Sequence, residues 1–167
     1  MKLLPPALLQ GTICAMKLIA WAILIFVVQH SQADECTHTA TAFHCVKYVR
    51  NYDADTITFD IPNVHPLIGR HISVRVRHID TPEIKGKQPC EKEAARTAKR
   101  LIENLLKHAK RIDLVDAGKD KYFRILADVI VDGKPLKDIL FKNNLAYAYE
   151  GKTKQKLNWC SRIPAGR

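Results

Sequence analysis

From residue 42 onward, apolar and polar positions first alternate, then recur at helical spacing, then alternate again. "AFHCVKYVR" (42–50) and "DTITFD" (55–60) are rich in β-branched and aromatic residues and predict two strands joined at "NYDA". "IPNVHPLIG" (61–69) is punctuated by prolines and predicts a connection. "RHISVRVRHI" (70–79) alternates, with Ile72, Val74 and Val76 on one face and Ser73, Arg75 and Arg77 on the other. From about Glu91 to Ala109 the period changes. Ala94, Ala95, Ala98, Leu101, Ile102, Leu105 and Leu106 form one stripe of an amphipathic helix.

Two strands follow, a short "RIDLV" and a longer "RILADVIV", the latter closed by the turn "DGK". "PLKDILFKNN" opens on a proline suited to a helix's first turn and predicts a second helix. The tail "AYAYEGKTKQKLNWC" reads as irregular. Strands, a helix, two strands and a helix suggest a small α+β barrel with helices packed on it, not an alternating parallel fold.

The first 33 residues carry no Asp or Glu and two lysines. Their apolar centre, "LIAWAILIFVV" (18–28), has 11 residues, short of the about 20 that a bilayer span needs. With Lys17 before it and "HSQA" after it, it reads as a signal peptide cleaved after Ala33. Met16 is an alternative start, and an uncleaved anchor the competing reading. "QADEC" lacks the small apolar residues expected before a lipidated Cys36. The mature domain, 34–167, is then a single exported unit, secreted or periplasmic, monomeric and without stable membrane association.

Charge narrows the choice of partners. Without Lys2 and Lys17, 25 basic and 17 acidic residues remain, a net charge of about +8. A compact domain that basic attracts polyanions, nucleic acid first among them. Cys36, Cys45, Cys90 and Cys160 remain after cleavage, an even set that predicts two disulfides with three connectivities. Cys36–Cys45 joins the nearest pair, and Cys90–Cys160 ties the tail to the body. Zinc is the rival for "CTH" and "HC", whose spacing matches no common zinc framework.

The acidic strand ends are the candidate chemistry. "DADT" (53–56) precedes one strand and "DTPE" (80–83) ends another. If one barrel rim carries both, Asp55 and Asp80 present hard oxygens to a divalent cation. A calcium loop of the EF-hand type is excluded, because Ile57 and Thr58 stand where a ligand and the tight-turn glycine belong. Arg75 lies on the polar face of its strand and Arg124 starts another; planar guanidinium forks suit phosphate.

"DADT", "RVRHIDTPE" and "DKYFR", in this order, resemble the staphylococcal nuclease (thermonuclease) family over residues 42–150 or so. The "EKEA" helix after "DTPE", "DGK" after the strand and "LA" after the second helix agree. The chain also resembles exported relatives ending in "WC", as at Trp159–Cys160, and that resemblance makes the Cys90–Cys160 pairing the expected one. The resemblance implies a five-stranded OB-type barrel with helices and calcium-dependent hydrolysis of DNA and RNA.

It also implies roles for single residues. Asp55, Asp80 and the Thr81 carbonyl would hold Ca²⁺; Glu83 would position or deprotonate the attacking water; Arg75 and Arg124 would hold the scissile phosphate. Lys121 and Tyr122 would contact a terminal phosphate, with Tyr149 or Tyr147 as a further substrate contact. Ala54 and Phe123 stand where the family commonly has glycine, so a strained loop is expected at Ala54 if its φ is positive. The alternative reading is a non-catalytic OB-type module that binds nucleic acid by charge and stacking. It would need neither Glu83 nor the paired aspartates. A scaffold kept as an envelope interaction protein is a third.

Overall fold

The computed structural model describes residues 36–120, 122, 124–153 and 157–162. The expected signal peptide with its cleavage site, Lys121 and Phe123 lie outside these residues. The strands are β1 (Lys47–Asn51), β2 (Thr56–Asp60), β3 (Ile72–Val76), β4 (Ile79–Asp80), β5 (Ile112–Lys119), β6 (Ile125–Val131), β7 (Lys134–Pro135) and β8 (Tyr147–Ala148). The helices are α1 (Pro66–Gly69), α2 (Pro89–His108), α3 (Leu136–Lys142) and α4 (Trp159–Arg162).

Five strands run in the order β1-β2-β3-β6-β5, with β7 hairpinned onto β6, and β4 pairs with β8 separately. The β3–β6 pair is parallel, because α2 and β5 intervene in the chain; its neighbours are antiparallel. Alternation sends Ile57, Phe59, Val74, Val76, Ala127 and Val129 into one core with Leu114 and Ile102. Leu136 and Leu140 of α3 are fully buried in that core. This is the α+β arrangement of an OB-type fold. The barrel is not closed by a continuous ladder, since β1 and β5 do not pair. Along that seam an isolated Phe43–Leu114 bridge and a bond from Val46 N–H to the Ile112 carbonyl (2.9 Å) join residues 41–46 to β5.

α2 begins at Pro89, whose missing N–H costs nothing in a first turn. Its buried positions are Ala94, Ala95, Ala98, Ile102 and Leu106, and Leu101 and Leu105 pack beside them. The "DGK" turn takes φ of 49° at Asp132 and 78° at Gly133, the two-residue geometry that matches strand twist.

Several local expectations are corrected. The strand over 70–79 is broken after Val76: His78 takes φ 60°, which a continuous strand does not allow, and a separate β4 follows. The 61–69 connection contains the one-turn α1, and "RIDLV" extends to Lys119 through a bulge at Val115–Gly118. The tail is not irregular throughout, because β8 pairs with β4 and α4 closes the described chain. Arg124 stands one residue ahead of β6. Ala54 is absent from the positive-φ residues and is buried in the core, so the strain expected there does not arise.

Two disulfides fasten the ends of the domain. Cys36 and Cys45, with Cα atoms 5.4 Å apart, close a short loop, and Cys90 and Cys160, 5.2 Å apart, join the first turn of α2 to α4. Among the described residues no helix is long and apolar enough to cross a membrane.

Candidate active site

Asp55 is delivered by a tight loop between β1 and β2. Tyr52 N–H bonds the Thr56 carbonyl (3.0 Å), and Asp55 N–H bonds Asp53 Oδ1 (3.3 Å). Asn51 pins the loop from below. Its amide nitrogen donates to the carbonyls of Asp53 (2.9 Å) and Lys99 in α2 (3.2 Å), and its oxygen accepts the Tyr48 hydroxyl (2.6 Å). The loop is thereby tied to both β1 and the long helix. Asp55 points inward, 1% exposed, and its carbonyl accepts Val76 N–H (2.9 Å).

Asp80 reaches the same place from β4. Arg75, on the polar face of β3, joins the two: one guanidinium nitrogen pairs with Asp55 Oδ1 and the other with Asp80 Oδ1 at 2.6 Å and the Ile79 carbonyl at 3.2 Å. The second oxygen of Asp55 accepts both Thr81 N–H (3.0 Å) and the Thr81 hydroxyl (2.9 Å). The second oxygen of Asp80 accepts the Tyr147 hydroxyl (2.7 Å). Asp55, Asp80, Thr81 and Arg75 therefore converge.

Burial pushes the Asp55 carboxyl up to about 7, and Asp53 adds to the rise; Arg75 and the Thr81 bond offset only part of it. For Arg75, burial works against the charge, but Asp55 and Asp80 outweigh it and hold the guanidinium above its already high ordinary value. Two carboxylates meeting around one positive group form a site built for cationic charge. Hard oxygen donors of this kind suit Ca²⁺ or another hard divalent ion. Among the described residues no third His, Cys, Asp or Glu joins a cluster. Further ligands would have to be the Thr81 carbonyl, water or substrate.

Arg124 is held differently. Its guanidinium bonds Asp120 Oδ2 (2.7 Å), and its N–H bonds Asp120 Oδ1 (2.9 Å), which also accepts Tyr122 N–H (2.7 Å). The guanidinium lies 5.4 Å from the centre of the exposed Tyr122 ring. Arg75 and Leu126 are register partners in β3 and β6, and alternation carries Arg124 to the side of the sheet that Arg75 occupies. The ion pair of Arg124 is with Asp120.

Glu83 is exposed three residues after Asp80, in a turn closed by Gly86 N–H on the Glu83 carbonyl (2.8 Å). Gly86 lies close to Glu91 of α2: an added Cβ would require the end of that flexible side chain to shift. Tyr149 is half-buried, its hydroxyl on the Lys152 carbonyl (2.7 Å) and its N–H on the His78 carbonyl (3.0 Å).

Asn51, Asp120 and the Tyr147–Asp80 bond did not emerge from the sequence. Asp120 carried a readable signal, an acid four residues before an arginine. The roles of Asn51 and Tyr147 depend on contacts between distant segments.

A family profile described as "Staphylococcal nuclease homologue" matches residues 73–160. "Endonuclease YncB" of Bacillus subtilis (strain 168) is 37% identical over 91 residues, 52% of this chain and 43% of that protein. "SPbeta prophage-derived endonuclease YokF" of the same organism is 39% identical over 87 residues, 49% of this chain and 29% of that protein. The match thus spans less than half the length of either relative.

Proposed function

This chain belongs to the staphylococcal nuclease homologue family, and from that premise we propose that it is an exported, calcium-dependent nuclease hydrolysing phosphodiester bonds in DNA and RNA. The observation that carries the reading is the meeting of Asp55 and Asp80 on one guanidinium; three residues beyond Asp80, Glu83 and its turn begin the approach to α2. The endonuclease names of both relatives, the net charge and the two disulfides support it. Export rests on the leader-like pattern of residues 1–33.

Asp55, Asp80 and the Thr81 carbonyl would hold the ion. Calcium bound there supplies positive charge to phosphate oxygens and screens the repulsion between substrate and the acidic pair. Arg75 turns its fork from the carboxylates to the phosphate as the substrate enters. Arg124, braced by Asp120 and lying over Tyr122, supplies the second fork. Glu83 orients a water and takes its proton while a new P–O bond forms and the bridging P–O bond breaks. Lys121, Tyr122 and Tyr149 contact the flanking nucleotide.

The test is cleavage of denatured DNA and of RNA by the purified chain, with calcium and with a chelator, beside Glu83→Gln at fixed salt. Calcium-dependent cleavage that falls about 10²–10⁴-fold in the variant is expected. Binding without cleavage under calcium would favour the non-catalytic binding module.

A further inference from the structure

Asp80 sits in a two-residue strand, too short to fix a side chain by its ladder alone. Arg75 holds one of its carboxylate oxygens and the tail holds the other. Asp80 and Tyr147 are register partners in the β4–β8 pair, and the buried Tyr147 hydroxyl donates to Asp80 Oδ2 at 2.7 Å, a separation typical of a bond to a charged acceptor. That bond leaves Asp80 Oδ1 facing Arg75 and, through it, Asp55.

Tyr147 is in turn wedged by the end of the chain. Its ring packs against Trp159, with centroids 6.1 Å apart, and the two form a buried cluster with Ala94 of α2. Cys160, next to Trp159, is bridged to Cys90, one helical turn before Ala94 and on the same face of α2. Arg162 adds a second strap, donating to the Ala146 carbonyl at 3.2 Å and lying over the Trp159 ring. A covalent bond at the surface thus leads through one indole and one phenol to a carboxylate of the site.

We propose that Tyr147 is a positioning residue that orients Asp80 for the divalent cation, and that the Cys90–Cys160 bridge holds Tyr147 in place through Trp159. The inference rests on the calcium reading above. Partners behind a metal ligand are typically worth about 10- to 100-fold in metal affinity, because they fix the ligand's orientation before the ion arrives.

Calcium titration calorimetry without nucleic acid tests it on the full mature chain. Tyr147→Phe removes the hydroxyl and keeps the ring, so its calcium Kd rises about tenfold, and cleavage falls more at limiting than at saturating calcium. The Cys90→Ser/Cys160→Ser variant weakens calcium binding in the same direction; Trp159→Phe replaces it if the serine variant does not fold. Combined with Tyr147→Phe, either gives less than the product of the single effects, since both act on one carboxylate. A Tyr147→Phe Kd equal to wild type overturns the positioning role, and independent, multiplying effects overturn the route through Trp159. Absence of calcium uptake by wild type removes the calcium reading and this inference together.

Discussion

Asp55 accepts both the backbone N–H and the hydroxyl of Thr81 on one carboxylate oxygen, across 26 residues of sequence. Thr81→Val keeps the shape and the N–H but removes the hydroxyl donor, leaving a buried acceptor under-satisfied. A loss of about 1–3 kcal/mol in urea denaturation is expected. A midpoint equal to wild type would mean that solvent already serves Asp55.

Arg75 joins two buried carboxylates. Arg75→Ala should destabilise the calcium-free protein by about 3–5 kcal/mol, the usual result of stranding buried charge. The same change removes the cation that competes for the carboxylates, so calcium should bind more tightly and restore part of the loss. Arg75→Lys keeps charge without the fork, and cleavage should fall at least about 100-fold with a smaller loss of stability. Urea curves with and without calcium, beside cleavage rates, separate the two effects.

Asp120 braces Arg124. Burial works to raise its pKa, but bonds from the Arg124 and Tyr122 N–H groups and from the Arg124 side chain outweigh it, so the folded value lies below the ordinary 3.8. The unfolded chain therefore binds the proton first as pH falls. The stabilisation is complete above that unfolded value and is lost as pH drops through the folded one. Asp120→Asn should cost about 1 kcal/mol at neutral pH, and its stability curve should converge with wild type on strong acidification. A constant gap down to pH ~2 would contradict this.

Asn51 joins the Asp55 loop to α2 through a buried amide. Asn51→Ala should cost about 2–3 kcal/mol by leaving backbone carbonyls unpaired. Amide exchange at residues 52–55 should quicken more than in β6, because the loop loses this side-chain pin to the helix. Equal protection in both regions would show that the loop is held by its backbone alone.

Periodicity alone carried the long elements. The alanine-rich stripe of α2 and the alternation of β3 report burial directly, and "DGK" names a turn geometry by its residues. The Asp55–Asp80–Arg75 cluster was legible only as an ordered set of motifs, since each acid by itself reads as a turn residue. His78 hid the end of β3, because an apolar-polar alternation continues through a residue whose φ breaks the strand. The tail was misread because β8 and α4 draw their stability from Asp80, Ala94 and Cys90. No local pattern encodes such distant partners. Asp120 shows the other failure: its spacing from Arg124 was readable, but its role as a brace appears only in the fold.

The seam between β1 and β5 bears on how the molecule comes into being. Cys45 N–H finds its acceptor on Asp113, 68 positions further along, and Phe43 finds Leu114 beside it. That segment, made before the rest of the sheet, must therefore wait for β5 before it can dock. Contacts of such long range slow folding, and until β5 arrives the chain has little reason to settle.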